Sequence, residues 1–249
     1  VCGSFGQTAD FNARNADQAV TRTSNGGTDI FLAKYSATLD LLWVAHAAGP
    51  NDDAAYDLAI DIEGLIAVTG GIRGTVSFDP DGMAPYLVRS PDAGTPAGFV
   101  WQLDQEGAVQ EAWRIGDLAS AGNAVIGKAI ALDGASAVHV AGEYTGSIDF
   151  DRGGGFTVRT SDVFTAFAAK YNGLTPDWVA DLSFNGAGMA ELSDMALSAD
   201  GRVFMGGAVE GEVVFAGNGP GLLRTSIGED AYVFALDAFG VPQWAALGG

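Results

Sequence analysis

Four copies of one short pattern recur along the chain: Val1-Cys2-Gly3-Ser4-Phe5, Val68-Thr69-Gly70-Gly71-Ile72, Val140-Ala141-Gly142-Glu143-Tyr144 and Met205-Gly206-Gly207-Ala208-Val209. Each has the form apolar-x-Gly-x-apolar, and a phenylalanine stands ten residues after the first position, at Phe11, Phe78, Phe150 and Phe215. The starting points lie 67, 72 and 65 residues apart (68−1, 140−68, 205−140). A repeat of this length, with turn residues between short apolar runs, describes units that cannot bury their hydrophobic face alone and must stack on neighbours.

Other landmarks keep register with the pattern. An apolar-Ala-apolar core precedes three of the copies, at Leu58-Ala59-Ile60, Ile130-Ala131-Leu132 and Met195-Ala196-Leu197. A basic-hydroxyl step follows the phenylalanine at Arg22-Thr23, Arg89-Ser90, Arg159-Thr160 and Arg224-Thr225. Aromatic-led runs begin at Phe31, Phe99, Phe167 and Tyr232, and a tryptophan closes each unit at Trp43, Trp113, Trp178 and Trp244.

One unit reads as four antiparallel strands. In the second copy these are Tyr56–Ile62, Leu65–Ile72, Phe99–Asp104 and Val109–Ile115, with a small excursion over Thr75–Asp79 and Tyr86–Arg89. Runs rich in Val, Ile, Phe and Trp, bounded by Gly, Asp, Asn and Pro, are strand signals, and the 36 glycines suit tight hairpins. Asp52–Ala59 and Ala187–Ala196 are expected to form at most a helical turn. The fold class is therefore all-β: a β-propeller of four-stranded antiparallel blades of about 67 residues, three complete and one incomplete. The expected division is 1–49 for the first blade, which lacks its inner strand, then 56–117, 128–184 and 194–249. The tryptophans are expected to pack blade against blade.

Residue 1 falls inside a second strand, so the matching inner strand would precede it (1−9 is negative). Either the chain is a piece of a longer propeller or two copies complete a ring; the piece is the expectation.

The run Asp29–Tyr35 with Leu42-Trp43, the Ala-Ile-Asp inner strands, and Val68-Thr69-Gly70 followed by Val76-Ser77-Phe78-Asp79 resemble the seven-bladed β-propeller repeats of bacterial secreted and cell-surface proteins. The resemblance spans nearly the whole chain and rests on packing and turn residues. It implies an extracellular or cell-surface location, or a periplasmic one, and a protein-binding or scaffolding role in a larger assembly. Leu103–Trp113 and Leu236–Trp244 are also similar to the tryptophan-docking repeats of quinoprotein dehydrogenases, making a fragment of such an enzyme one alternative. A single cysteine cannot form the vicinal disulfide common in those enzymes, and no calcium set of theirs maps here. A carbohydrate- or calcium-binding lectin-like propeller is the other alternative.

Charge narrows the partners. At −19, with Lys34, Lys128 and Lys170 the only lysines, the chain is a poor match for nucleic acid, whose binding needs cations to displace counterions. No apolar run approaches the roughly 20 residues of a membrane helix.

Residues that could carry chemistry are few. His46 and His139 occupy non-equivalent repeat positions, with no nucleophile pattern beside either. Gly153-Gly154-Gly155 follows Phe150 where the second copy has Pro80-Asp81-Gly82, and reads as a turn. Asp79, Asp81, Asp149, Asp151 and the Asn51-Asp52-Asp53 cluster lack the ligand spacing of a calcium loop and read as solvated turn residues. Cys2 occupies a strand position equivalent to Thr69 and Ala141. No catalytic, cofactor or metal residue is expected, and carbohydrate is a second candidate ligand after protein.

Overall fold

The computed structural model describes residues 1–79, 82, 86–117 and 122–249. It is all-β: the described residues form sixteen strands in antiparallel sheets and one turn of 3-10 helix at Ala16–Gln18. A three-stranded sheet holds β1 (Cys2–Asp10), β2 (Thr21–Tyr35) and β3 (Leu41–Ala47). A four-stranded sheet follows in the order β4 (Ala54–Ile60), β5 (Ile66–Ile72), β8 (Ala97–Leu103), β9 (Val109–Arg114), with β6 (Thr75–Ser77) and β7 (Leu87–Arg89) paired beside it. The remaining strands form one continuous ladder: β10 (Ala124–Leu132), β11 (Val138–Asp149), β12 (Val158–Tyr171), β13 (Pro176–Leu197), β14 (Val203–Gly217), β15 (Gly219–Leu236) and β16 (Pro242–Gly248).

The seven-stranded ladder contains two repeats. Pro176–Asp181 of β13 pairs with β12, and Asp181–Leu197 pairs with β14, with register slips between Phe184 and Gly188 and between Leu192 and Asp194. One strand is thus the last of the third unit and the first of the fourth. The Ala187–Ala196 stretch, expected to reach at most a helical turn, lies within this strand, and Asp52–Ala59 runs into β4. Both are Ala-rich runs interrupted by acidic residues, which hydrophobic pattern leaves ambiguous; pairing with β14 and β5 settles Ala187–Ala196 and Ala54–Ala59 as strand.

The second strands of units one, three and four bulge before the excursion, and that of unit two ends at Ile72. Gly74, Gly146 and Gly211 hold φ of 74°, 89° and 103° there, a backbone state open mainly to glycine. In units three and four the excursion is the extension of the same two strands past the bulge. In unit two it separates into β6 and β7, where Pro91 and Pro96 deny the ladder two N–H donors.

The phenylalanine landmark packs on the leading aromatic of the third strand in every unit. Ring centroids are 5.0 Å apart for Phe11–Phe31, 4.9 Å for Phe78–Phe99, 5.0 Å for Phe150–Phe167 and 5.6 Å for Phe215–Tyr232, all tilted by 50–58°. Phe78, Phe99, Phe150, Phe167 and Phe215 are completely buried, and each contributes roughly 1.5–3 kcal/mol from that burial. The arginine landmark caps the fourth strand. Arg22, Arg159 and Arg224 donate to the carbonyls of Val44 (3.3 Å), Val179 (2.7 Å) and Ala245 (2.9 Å).

Units meet in sequence order: β4 contacts β1 and β2 of the unit before it, and β10 contacts β4, β5 and β8. The turn between the last two strands of one unit receives a tryptophan from the unit before. Trp43 Nε1 donates to Gln105 O (3.1 Å), and Trp178 Nε1 donates to Ala238 O (3.2 Å).

The tryptophan of unit two departs from this rule. Trp43, Trp178 and Trp244 stand opposite Lys34, Lys170 and Ala235, whereas Trp113 stands opposite Val100, two residues farther along its strand. Glu111 holds the regular position, opposite Gln102. Trp113 is still buried at the junction of units two and three, 4.8 Å from the Tyr171 ring. Trp244, expected between blades, is instead 45% exposed.

Candidate functional site

The displaced Trp113 lines an open cleft of about 600 Å³ between units two and three. The Arg152 guanidinium lies 3.9 Å over the Trp113 ring and pairs with Glu111 at 2.6 Å. Arg114, the residue after the displaced tryptophan, donates to Arg89 O (2.9 Å) and pairs with Asp117 (2.9 Å). Arg89 itself is exposed on the cleft wall with Leu87 and Phe156, the last 88% exposed. The cleft therefore combines the guanidinium groups of Arg89, Arg114 and Arg152, the carboxylates of Asp117, Asp149 and Asp151, and exposed apolar surface.

A second open cleft, of about 780 Å³, lies where the first hairpins of units two, three and four converge. Asp133 and Lys170 are on its wall, with Lys170 Nζ 2.9 Å from Asp133 Oδ2. Behind them His139 Nε2 approaches the same oxygen at 3.3 Å. Burial is the main force lowering the His139 pKa, so the ring favours its neutral form. Burial alone would raise the Asp133 carboxyl. Lys170, the Ala135 and Ala137 N–H groups and His139 outweigh it and hold the carboxyl well below its usual range. His139 is fully buried, and the side of its ring faces Trp178, centroids 5.9 Å apart. A general base must reach its substrate; this imidazole has no exposed surface. His139 is thus partnered by Asp133, six residues before it in the sequence. His46 is half-buried on β3, its ring 6.4 Å from that of Phe5.

The acidic residues singled out in the sequence are distributed over turns and junctions. Asp149 accepts from the N–H groups of Asp151 (3.0 Å) and Thr157 (2.8 Å), and Asp151 from Gly153 (2.6 Å). Gly153–Gly155 forms the turn expected of it, with Gly154 at φ 87°. Asp79 accepts the Gly82 N–H on its backbone carbonyl, while Asp81 lies outside the described residues. Asn51 Nδ2 donates to Arg73 O, Asp52 accepts from Thr28 N, and Asp53 from Arg73 N at 2.7 Å. Among the described residues no three His, Cys, Asp or Glu side chains form a group able to hold a metal ion.

Asp53 stands apart from the other acids. It is 1% exposed, and its Oδ2 has no hydrogen-bond partner. Burial, aided by the Asp29 and Asp52 charges and opposed by the Arg73 N–H, raises its pKa to about 7. Burial also pushes up the Cys2 thiol, away from the thiolate that reactivity requires.

Two features escaped sequence reasoning. His139 and Lys170 are directly opposed on β11 and β12, so pairing the two hairpin strands in register would have found them. Asn51 and Asn123 recur 72 residues apart (123−51) and bind the backbone at matching places, Arg73 O and Ser147 O. No protein-family model matches the sequence, and no curated protein matches it. No helix among the described residues is long and apolar enough to cross a membrane.

Proposed function

We propose that this chain is a non-enzymatic β-propeller segment whose units act as blades, serving as a protein-binding or scaffolding module of an extracellular or bacterial cell-surface assembly. The observation that carries the reading is the one-directional docking of Trp43 and Trp178 into the turns of the units that follow them. The inner strands support it too: β4 packs against β10, and β10 against β13, as first strands gathered near a common axis would. Most side chains able to do chemistry are committed to this architecture, including Asp133, His139, Asp149 and Asp53. The clefts are open and lie between units, where a stacked array offers surface to a macromolecule.

In-cell crosslinking followed by fractionation tests the reading. The expected result is recovery in the envelope or secreted fraction, linked reproducibly to the same protein partner. Recovery in the cytosol without a partner, or turnover in an activity screen, overturns it. One observation favours a second reading, carbohydrate binding in the 600 Å³ cleft: Phe156 stands exposed there beside Arg89 and Asp117. Glycan-array binding lost on Phe156→Ala would select it.

A further inference from the structure

The docking rule leaves one face of the molecule uncovered and specifies what fits it. At the centre of the third strand, on the side facing the following unit, stand Leu32 (2% exposed), Val100 (0%) and Ala168 (0%), each buried in a core shared between units. The equivalent Val233 is 43% exposed, and Trp244 beside it 45%. The face of unit four around Val233 and Trp244 thus matches surfaces that the chain buries at its own junctions. Trp244 stands opposite Ala235 in the same register as Trp43 and Trp178, so it is set for the same kind of seat.

That seat has a definite chemistry. Trp43 lies against Gly107 and Trp178 against Gly240, both in the left-handed region at φ 88° and 73°. A Cβ on either glycine would stand 2.8 Å or 2.5 Å from the ring. The indole N–H reaches a carbonyl two residues before the glycine.

The chain's own first unit has the same turn with the seat closed. Leu39 N donates to Ser36 O and Ser36 N to Asp40 O, as Gly107 and Asp104 do in unit two and Gly240 and Asp237 in unit four. Leu39 takes the glycine's place at φ 63° and is 60% exposed. A leucine in this region is a costly backbone choice, and its side chain occupies the space a docked indole needs.

We propose that the Trp244 face docks a further repeat unit, one not among these four, whose last hairpin turn carries a left-handed glycine, and that Leu39 prevents the chain's own first unit from serving as that partner. The proposal deepens the scaffold reading by naming the partner's chemistry, and it rests on that reading.

Analytical ultracentrifugation of the whole chain tests it without the natural partner in hand. The probe is the double variant Leu39→Gly/Trp244→Ala, which offers an open seat and no indole of its own. The expected result is that the wild type and the probe are each monomeric alone and form a 1:1 complex when mixed. Replacing the wild type by Trp244→Ala should weaken that complex by at least about tenfold. Both substitutions are at exposed positions, and circular dichroism checks that each variant keeps its strand content. Wild-type chain that self-associates through Trp244 overturns the role of Leu39. A mixture that stays monomeric, or a complex indifferent to Trp244, overturns the docking surface. Neither result bears on where the protein fractionates or what it crosslinks to, so the scaffold reading stands or falls separately.

Discussion

At the scale of single residues, Asp53 sets the strongest pH dependence. Its carboxyl is buried at the junction of units one and two, near Asp29 and Asp52 and bound to the Arg73 N–H. Its pKa rises from 3.8 to about 7 on folding, so between those values the folded state holds a proton that the unfolded state has released. Stability contributed by protonated Asp53 is therefore present below pH 4 and lost as pH rises towards 7, with an upper bound on the order of 4 kcal/mol. Asp53→Asn should flatten that decline and leave the variant more stable than wild type at pH 8. Urea midpoints for both proteins at pH 4 and pH 8 check it; equal pH slopes would refute the burial argument. Trp113 is a plainer case. At 6% exposure, between Tyr171 and Arg152, its replacement by alanine should cost roughly 3–5 kcal/mol in denaturant melts. A loss under about 1 kcal/mol would remove it from the junction.

At the scale of elements, the turns decide how units join. Gly107→Ala places a methyl 2.8 Å from the Trp43 ring at φ 88°, so steric and backbone strain act together. The expected cost is about 1–3 kcal/mol. In a double-mutant cycle with Trp43→Ala the clash component should vanish, leaving only backbone strain; full additivity would show that the two residues do not meet. Strand positions were legible from the sequence because alternating apolar runs and Asp-Gly turns both point to hairpins. In unit two the observed strands begin and end within two residues of the expected ones. Register was not legible. The tryptophan of unit two comes in the same order as the others, yet two further strand residues separate it from its turn, and only cross-strand pairing shows it opposite Val100. For the same reason the His139–Asp133–Lys170 cluster was invisible in one dimension: His139 and Lys170 lie 31 positions apart (170−139) and meet across a ladder. The carboxylates were read correctly as turn residues where a turn pattern surrounds them, at Asp149 and Asp151, and incompletely at Asp53, whose burial comes from the neighbouring unit.

At the scale of the whole molecule, a charge of −19 acts against every folded contact at once. Self-repulsion is screened over about 30 Å at 0.01 M salt and about 3 Å at 1 M. Thermal stability should therefore rise with sodium chloride across that range, by more than a near-neutral variant of the same fold would gain. Calorimetry in a salt series measures it, and a flat response would place the acidic groups too far apart to matter. The shared charge also discourages contact between identical copies, in the same direction as Leu39.

The unbroken strand β13 has a mechanical consequence. Between units one and two the chain has six residues, 48–53, outside the named strands; fully extended they span roughly 20 Å, and their slack is held by local hydrogen bonds such as Ala48 with Ser77 and Asp53 with Thr28. Between units three and four there is no such slack, because the backbone leaving one sheet is already hydrogen-bonded in the next. A pull across that second junction loads both ladders in shear from the first ångström. An array tethered at its ends would yield at its loops while units three and four moved as one stiff block.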